Sequence, residues 1–268
     1  MTDSSGIIRL AIQGQVAWIT LDNPSKHNSL GAEDIELFIS HLESVEERQE
    51  IRVLVVTGSG DKTFCAGASL TQMSSGDLSG EQFQVLTDKL AAMPIPTICA
   101  LNGSAYGGGA EIGLCCDIRI GVKGMTLLVP AARFGLCYPL NGIQRYVHRL
   151  GVSTAKRLLM AAETLDEEAL LSLGYLTHLV KRDELVEAAE QMADSISKLA
   201  PLAVTSMKKI CDQIVEGSLC EQEVLEIIQQ CRESEDLQEG LNAAREKRQP
   251  VFVGIRSNAS AELLGNLH

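Results

Sequence analysis

Several features that would place this chain at once are missing from it. No run of Lys or Arg exceeds two residues, and 35 Asp and Glu outnumber 23 Lys and Arg, for a formal net charge of -12. Proteins that live on phosphate backbones carry a basic footprint, so no nucleic acid partner is expected. An anionic membrane surface is disfavoured for the same reason. No apolar stretch reaches the roughly 18 residues that a membrane span needs. Met1 to Leu10 has no basic segment leading into a long apolar run, so no secretory signal is expected either. The eight cysteines (Cys65, Cys99, Cys115, Cys116, Cys137, Cys211, Cys220 and Cys231) include no CxxC pair. That spacing argues against a zinc site and a disulfide framework; buried thiols in a reducing, cytoplasmic setting are the expectation. His27, His41, His148, His178 and His268 lack HxxxH spacing, so no metal is expected. Aromatic residues number ten (one Trp, four Tyr, five Phe), which leaves the core to aliphatic side chains.

What is present is apolar. In 268 residues, 45% are hydrophobic and 22% charged, which suits a sizeable core in one large domain, or a core with an appendage. Ile7 to Leu21 alternates through Ile8, Leu10, Ile12, Val16 and Trp18 around Gly14-Gln15, the pattern of a β-hairpin. Ala32 to Gln49 carries Ile35, Phe38, Ile39, Leu42 and Val45 at helical spacing. Val53 to Thr57 is a continuous apolar run of the kind buried in a parallel sheet. A helix over Gln82 to Ala92 and a strand over Thr97 to Leu101 complete a βαβ-type alternation. Beyond about residue 140 helices are predicted over Ile143 to Met160, Asp166 to Leu173, Glu184 to Leu199, Pro201 to Val215 and Glu221 to Arg232, with one strand over Leu176 to Val180. The fold class is thus α/β, with a sheet-rich front and a helical back.

Two glycine-rich loops each follow a predicted strand. Thr57 to Ala68 resembles a phosphate-binding loop only superficially, because Asp61 stands where glycine should precede Lys62 and would repel phosphate. Neither loop gives the GxGxxG of a dinucleotide site. In the second loop, Leu101 to Leu114, Gly107-Gly108-Gly109 lets backbone N–H groups meet a ligand at a helix N-terminus, where the dipole favours a developing oxyanion. Glu111 falls one turn into that helix. Two readings of it stay open on spacing alone: a carboxylate beside a reacting centre, or an acid favoured in a first turn by the dipole.

The strings Asn23-Pro24-x-Lys26-x-Asn28, Phe64-Cys65-Ala66-Gly67-Ala68-x-Leu70 and Asn102-Gly103-x-Ala105-x-Gly107-Gly108-Gly109-x-Glu111 resemble the enoyl-CoA hydratase/isomerase (crotonase) superfamily. So do Cys116-Asp117-Ile118-Arg119, Gly135, Gly142-x-Gln144-Arg145 and Glu246-Lys247-Arg248-x-Pro250-x-Phe252, in the family's order from about Ile7 to Gly254. The resemblance implies a crotonase-like spiral of ββα units over residues 1–200 and a helical trimerisation segment over 201–268. It implies a homotrimer or a hexamer made of two trimers. The implied partner is an acyl-CoA thioester, with coenzyme A part of the substrate and no other cofactor. The thioester carbonyl would sit between the N–H groups of Ala68 and Gly108, with Glu111 as acid/base. Lys26, Ala66, Ala68, Ser69, Leu70, Thr71, Tyr106 and Gly108 match positions that line substrate and CoA, and Lys247 or Arg248 would add positive charge for its phosphates. Ser69 stands where the family usually has Asp.

A larger departure lies downstream. Family hydratases carry a second glutamate in a Gln-Pro-Glu segment twenty residues after the first, and here that position is Ala131, within Val129-Pro130-Ala131. Tyr138 and Asn141 are candidates to enter the pocket in its place, Tyr138 as a proton donor or hydrogen-bonding group. Arg133 is a candidate to meet a charged acyl substituent. His27, His148 and a nucleophilic Cys65 are weaker candidates, since nothing in the sequence places a base beside that thiol. The functions expected are enoyl-CoA hydration or dehydration, or a double-bond shift, with a single catalytic Glu. The alternatives are decarboxylation or C–C hydrolysis of a branched or acidic acyl-CoA and, in another class, a catalytically silent acyl-CoA-binding or scaffold subunit.

Overall fold

The computed structural model describes residues 7–256; the ends of both predicted segments, and His268, lie outside the described residues. The predicted hairpin forms as β1 (Ile8–Gln13) and β2 (Val16–Leu21), antiparallel with Ile8 opposite Leu21. Helix α1 (Ala32–Glu47) buries Ile35, Phe38, Leu42 and Val45 as its spacing requires, and adds His41, whose ring Nε2 lies 3.1 Å from the Ile8 carbonyl oxygen. Strand β3 (Val53–Gly58) is buried through Val53, Leu54, Val55 and Val56 because it runs parallel to β2 on one side and to β5 (Thr97–Leu101) on the other. With β7 (Ile118–Val122) and β10 (His178–Val180) these strands make a six-stranded sheet ordered β1-β2-β3-β5-β7-β10.

A second sheet, ordered β4-β6-β8-β9, is built from β4 (Thr63–Cys65), β6 (Ser104–Tyr106), β8 (Thr126–Leu128) and β9 (Leu165–Asp166). Each turn of the chain therefore gives one strand to each sheet and then a helix. After β3 and β4 come α2 (Leu70–Ser75) and α3 (Gly80–Ala91), after β5 and β6 comes α4 (Gly108–Cys115), and after β7 and β8 comes α5 (Leu140–Leu159). This winding places the loops that follow β4 and β6 side by side.

Helices α6 (Glu167–Ser172), α7 (Leu185–Ser197), α8 (Pro201–Glu216), α9 (Glu221–Glu233) and α10 (Glu235–Glu246) follow. Pro201 opens α8 at the position where a missing N–H costs least. Two ties bind this back part to the sheets. Lys208 meets Asp117 at 2.7 Å, and Arg52 donates to the carbonyls of Ser197 and Phe252 at 2.9 and 2.8 Å.

Some expectations need correction. The helix expected from Ile143 begins at Leu140 and breaks at Gly151, whose φ of 77° is left-handed. Asn141 and Gly142 are consequently helical and not loop residues. Helices α2 and α10 and strands β4, β6, β7, β8 and β9 were not expected. The cysteines divide: Cys65, Cys99, Cys115 and Cys116 are buried, but Cys137, Cys211 and Cys220 are exposed, because they fall in the loop before α5, on α8 and in the connection from α8 to α9. Among the described residues no helix is long and apolar enough to cross a membrane, and no group of three His, Cys, Asp or Glu could hold a metal ion.

Candidate active site

The site begins with how two asparagines pin the first glycine-rich loop. Asn28, 1% exposed, donates through Nδ2 to the carbonyls of Ser59, Thr63 and Phe64 at 3.0, 2.9 and 3.0 Å. Asn102 accepts from the Gly58 N–H at 3.1 Å and donates to the Gly60 carbonyl at 2.9 Å. With the loop fixed, residues 27–30 lie along 66–69: the Ala66 N–H donates to the His27 carbonyl, the Leu30 N–H to the Gly67 carbonyl, and the Ser69 N–H to the Leu30 carbonyl. Lys26 ends the short 3-10 turn that leads into this pairing. Ser69 caps α2 by accepting from the Gln72 N–H. That is a local reason for a short oxygen-bearing side chain there. Leu70 and Thr71 follow on the exposed first turn.

In the parallel bridge between Leu30 and Ala68 the bonds run through the neighbours of Ala68, so its own N–H points away from residue 30. Gly108 opens α4, where an N–H has no intrahelical acceptor. The two amides are neighbours because Gly67 lets them be. It has φ of 81°, and a Cβ on it would lie 2.6 Å from the Gly108 nitrogen and 3.0 Å from the Tyr106 carbonyl oxygen. Glycine tolerates both the left-handed turn and the close approach. The Gly108 N–H thus stands at the positive end of α4, with Ala68 following the glycine packed against it, and the dipole there favours negative charge.

Helix α4 is buried on every side through Gly109, Ala110, Ile112, Gly113, Leu114 and Cys115, and Glu111 is its one charge, 4% exposed. Burial pushes the Glu111 carboxyl above the ordinary carboxylate value, against the pull of the Tyr138 hydroxyl and the Arg145 guanidinium. Arg145 Nη1 donates to Glu111 Oε1 at 2.6 Å and to Thr87 Oγ1 at 3.2 Å, while Nη2 pairs with Asp88. Asn141 Nδ2 donates to the other Asp88 oxygen at 2.8 Å. Glu111, Arg145, Asp88 and Asn141 therefore form one charged chain from the buried helix outward. Burial also keeps the Tyr138 hydroxyl protonated well above the usual phenol range.

Of the sequence candidates, Gly67 sets Ala68 next to Gly108 and Gly142 sets Tyr138 next to Glu111, with Ala66 and Ser69 in the segment of Ala68 and Tyr106 two residues before Gly108. Ala131 opens a 3-10 turn immediately after Pro130, whose Cδ lies against Gly107. Asn141 does not enter the pocket, since its amide is committed to Asp88. Arg133 is held by the Ala162 carbonyl at 2.7 Å. His27 lies 3.0 Å from Thr63 Oγ1 at a loop junction, and His148 lines a cavity of about 350 Å³ on the far side of Arg145. Cys65 is buried and its thiol is pushed up to about 12, which leaves no thiolate for attack. Arg145 and Asp88 were missed. The Gly142-x-Gln144-Arg145 string marked the arginine, but no local pattern pointed it at Glu111.

Two mixed sheets wound by ββα turns and followed by C-terminal helices make this an α/β crotonase fold. The chain belongs to the enoyl-CoA hydratase/isomerase family, which it matches over residues 11–255, and is a crotonase-family acyl-CoA enzyme. It is 29% identical to a short-chain-enoyl-CoA hydratase of Clostridium acetobutylicum, over 88% of this chain and 93% of that one. It is 33% identical to the mitochondrial enoyl-CoA hydratase domain-containing protein 2 of Bos taurus, over 89% and 84%. A solved enoyl-CoA hydratase from Bacillus anthracis superimposes with a TM-score of 0.84 at 27% identity, covering 92% of this chain and 99% of that one.

Proposed function

We propose that the protein adds water to, or removes it from, an enoyl-CoA through a thioester enolate. What supports this reading is that Ala68 follows the glycine packed against the Gly108 nitrogen, and that Gly108 stands three residues before a buried, ion-paired Glu111. The thioester carbonyl accepts from both amides. Glu111 takes a proton from water, the water oxygen bonds to C3, and the electron pair of the C2–C3 double bond moves onto the thioester oxygen. The same carboxyl then returns its proton to C2, and the carbonyl re-forms. One acid/base group suffices because the proton leaves and re-enters on one face. Each oxyanion donor is worth ~10²–10³ in rate.

Ala131 favours a second reading, a double-bond shift, in which Glu111 moves a proton between two carbons and no water is activated. Lys26 and Ala66 to Thr71 are read as the CoA side of the cleft. The segment 201–268 is read as the assembly unit of a trimer or hexamer, supported by exposed Met207, Ile214, Leu225 and Leu241 on its helices.

The test is incubation in D2O with crotonyl-CoA, 3-hydroxybutyryl-CoA and a 3-enoyl-CoA. Mass spectrometry of the products distinguishes water addition from a moved double bond. Glu111→Gln should lower turnover by ~10²–10⁴ with acyl-CoA binding retained. Absence of deuterium at C2 from every substrate overturns the enolate reading, and unchanged activity in Glu111→Gln supports the silent scaffold.

A further inference from the structure

With Ala131 in place of a second carboxylate, the oxygen that adds to C3 needs another holder, and the side of Glu111 facing α5 carries two phenols. Tyr146 is fully buried, and its hydroxyl makes no full-strength hydrogen bond among the described residues. A buried hydroxyl left in that state is uncommon and costly, and calls for an explanation such as a water or ligand that it serves. Its ring meets Tyr138 edge to face, with centroids 5.8 Å apart and planes at 89°, which fixes both phenols. The Tyr138 ring edge and the Glu111 carboxylate meet around Gly142.

Gly142 leaves the space that joins them. A Cβ at that position would lie 2.6 Å from Tyr138 Cε1 and 3.1 Å from Glu111 Oε1, so any side chain there would push the phenol from the carboxylate. Burial keeps both hydroxyls protonated, so each can donate one hydrogen bond and accept others.

Resting on the function proposed above, we infer that Tyr138 and Tyr146 form with Glu111 a three-sided seat for one oxygen atom: the water that adds to C3, or the 3-hydroxyl of the hydrated acyl-CoA. Glu111 accepts one hydrogen of the water and a phenol oxygen accepts the other, which leaves a lone pair for C3. Tyr146 is a positioning residue here, since it acts through the oxygen it holds and transfers no proton. The seat makes the 3-hydroxyl a determinant of which acyl-CoA binds.

The test compares calorimetric binding of 3-hydroxybutyryl-CoA and butyryl-CoA to the full chain and to Tyr146→Phe and Tyr138→Phe. The intact protein should prefer the hydroxylated ligand, and Tyr146→Phe should lose about five- to tenfold of that preference, the scale of one hydrogen bond. The ratio of hydration rate to C2 deuterium exchange should fall by a similar factor. The melting temperature of Tyr146→Phe should not fall, because the hydroxyl has no full-strength protein partner to lose. An unchanged ligand preference in a folded Tyr146→Phe that still exchanges C2 overturns the seat alone. Failure of the intact protein to bind either CoA ester or to exchange C2 overturns the acyl-CoA reading, and the seat with it.

Discussion

Arg145 donates from Nη1 to Glu111 Oε1 across 2.6 Å in a setting where the arginine side chain is 15% exposed and the glutamate side chain 5%. A carboxyl buried among apolar groups resists ionisation, and the guanidinium opposes that resistance. Replacing Arg145 with Met should therefore move the acidic limb of the pH–rate profile to higher pH, because Glu111 then loses its proton less readily. Stability should drop by about 3–5 kcal/mol, the cost of leaving one buried partner alone. Arg145→Lys should recover part of the profile. Denaturant titration and pH–rate curves on the three proteins check this.

The same raised carboxyl makes a prediction about stability and pH. Glu111 holds its proton more tightly in the folded than in the unfolded chain. Its contribution is thus fully present below the unfolded carboxylate pKa and is lost as pH rises through the folded one. Relative to Glu111→Gln, which has no such titration, the native protein should lose stability as pH rises from the ordinary carboxylate range through the raised one of Glu111. A stability difference that grows over this range would contradict the direction of the shift.

Gly67→Ala puts a Cβ 2.6 Å from the Gly108 nitrogen at a φ of 81°. Backbone must yield, and the yielding separates the amides of Ala68 and Gly108. We expect a loss of ~10²–10³ in kcat, the scale of one oxyanion donor, with destabilisation of at least about 1 kcal/mol from the left-handed alanine. The matched control is Gly76→Ala, which is also left-handed, at φ of 84°, but has open space around its Cβ. It should share the destabilisation and not the kinetic loss.

Ala131→Glu should raise hydration by ~10², the low end of what a positioned acid contributes, and should lower the melting temperature because a carboxyl enters a site that is 7% exposed. Product quantification by mass reads the first effect and calorimetry the second. No gain in a folded variant would mean that position 131 does not face the reacting carbons.

Thiol labelling of the native protein should modify Cys137, Cys211 and Cys220 and spare Cys65, Cys99, Cys115 and Cys116 until the chain unfolds. Peptide mapping after brief exposure to iodoacetamide reads this directly. Cys65 is the sharpest case, since its thiol is pushed up to about 12 by burial.

The sequence alone determined whatever a local period or a counted spacing can carry. The β1–β2 hairpin, the buried strands β3 and β5, helices α1 and α3, and the placement of Gly108 and Glu111 on one helix all follow from alternation, 3.6-residue spacing and glycine after a strand. The resemblance to the family, with a count of twenty residues from Glu111, put Ala131 where family hydratases carry their second glutamate. Three-residue strands such as β4 and β6 have too few side chains to show a period, and in β7 the charged Arg119 breaks the apolar run. The remaining decisions were tertiary. Arg145 reaches Glu111 across 34 positions and Thr87 across 58. Asn141 turned to Asp88, Arg133 to the Ala162 carbonyl, and Tyr146 into edge-to-face contact with Tyr138. Periodicity reports which face of an element is buried. Which side chain of one element meets which side chain of another depends on the winding of the ββα turns, and that relation is written in no single stretch of the chain.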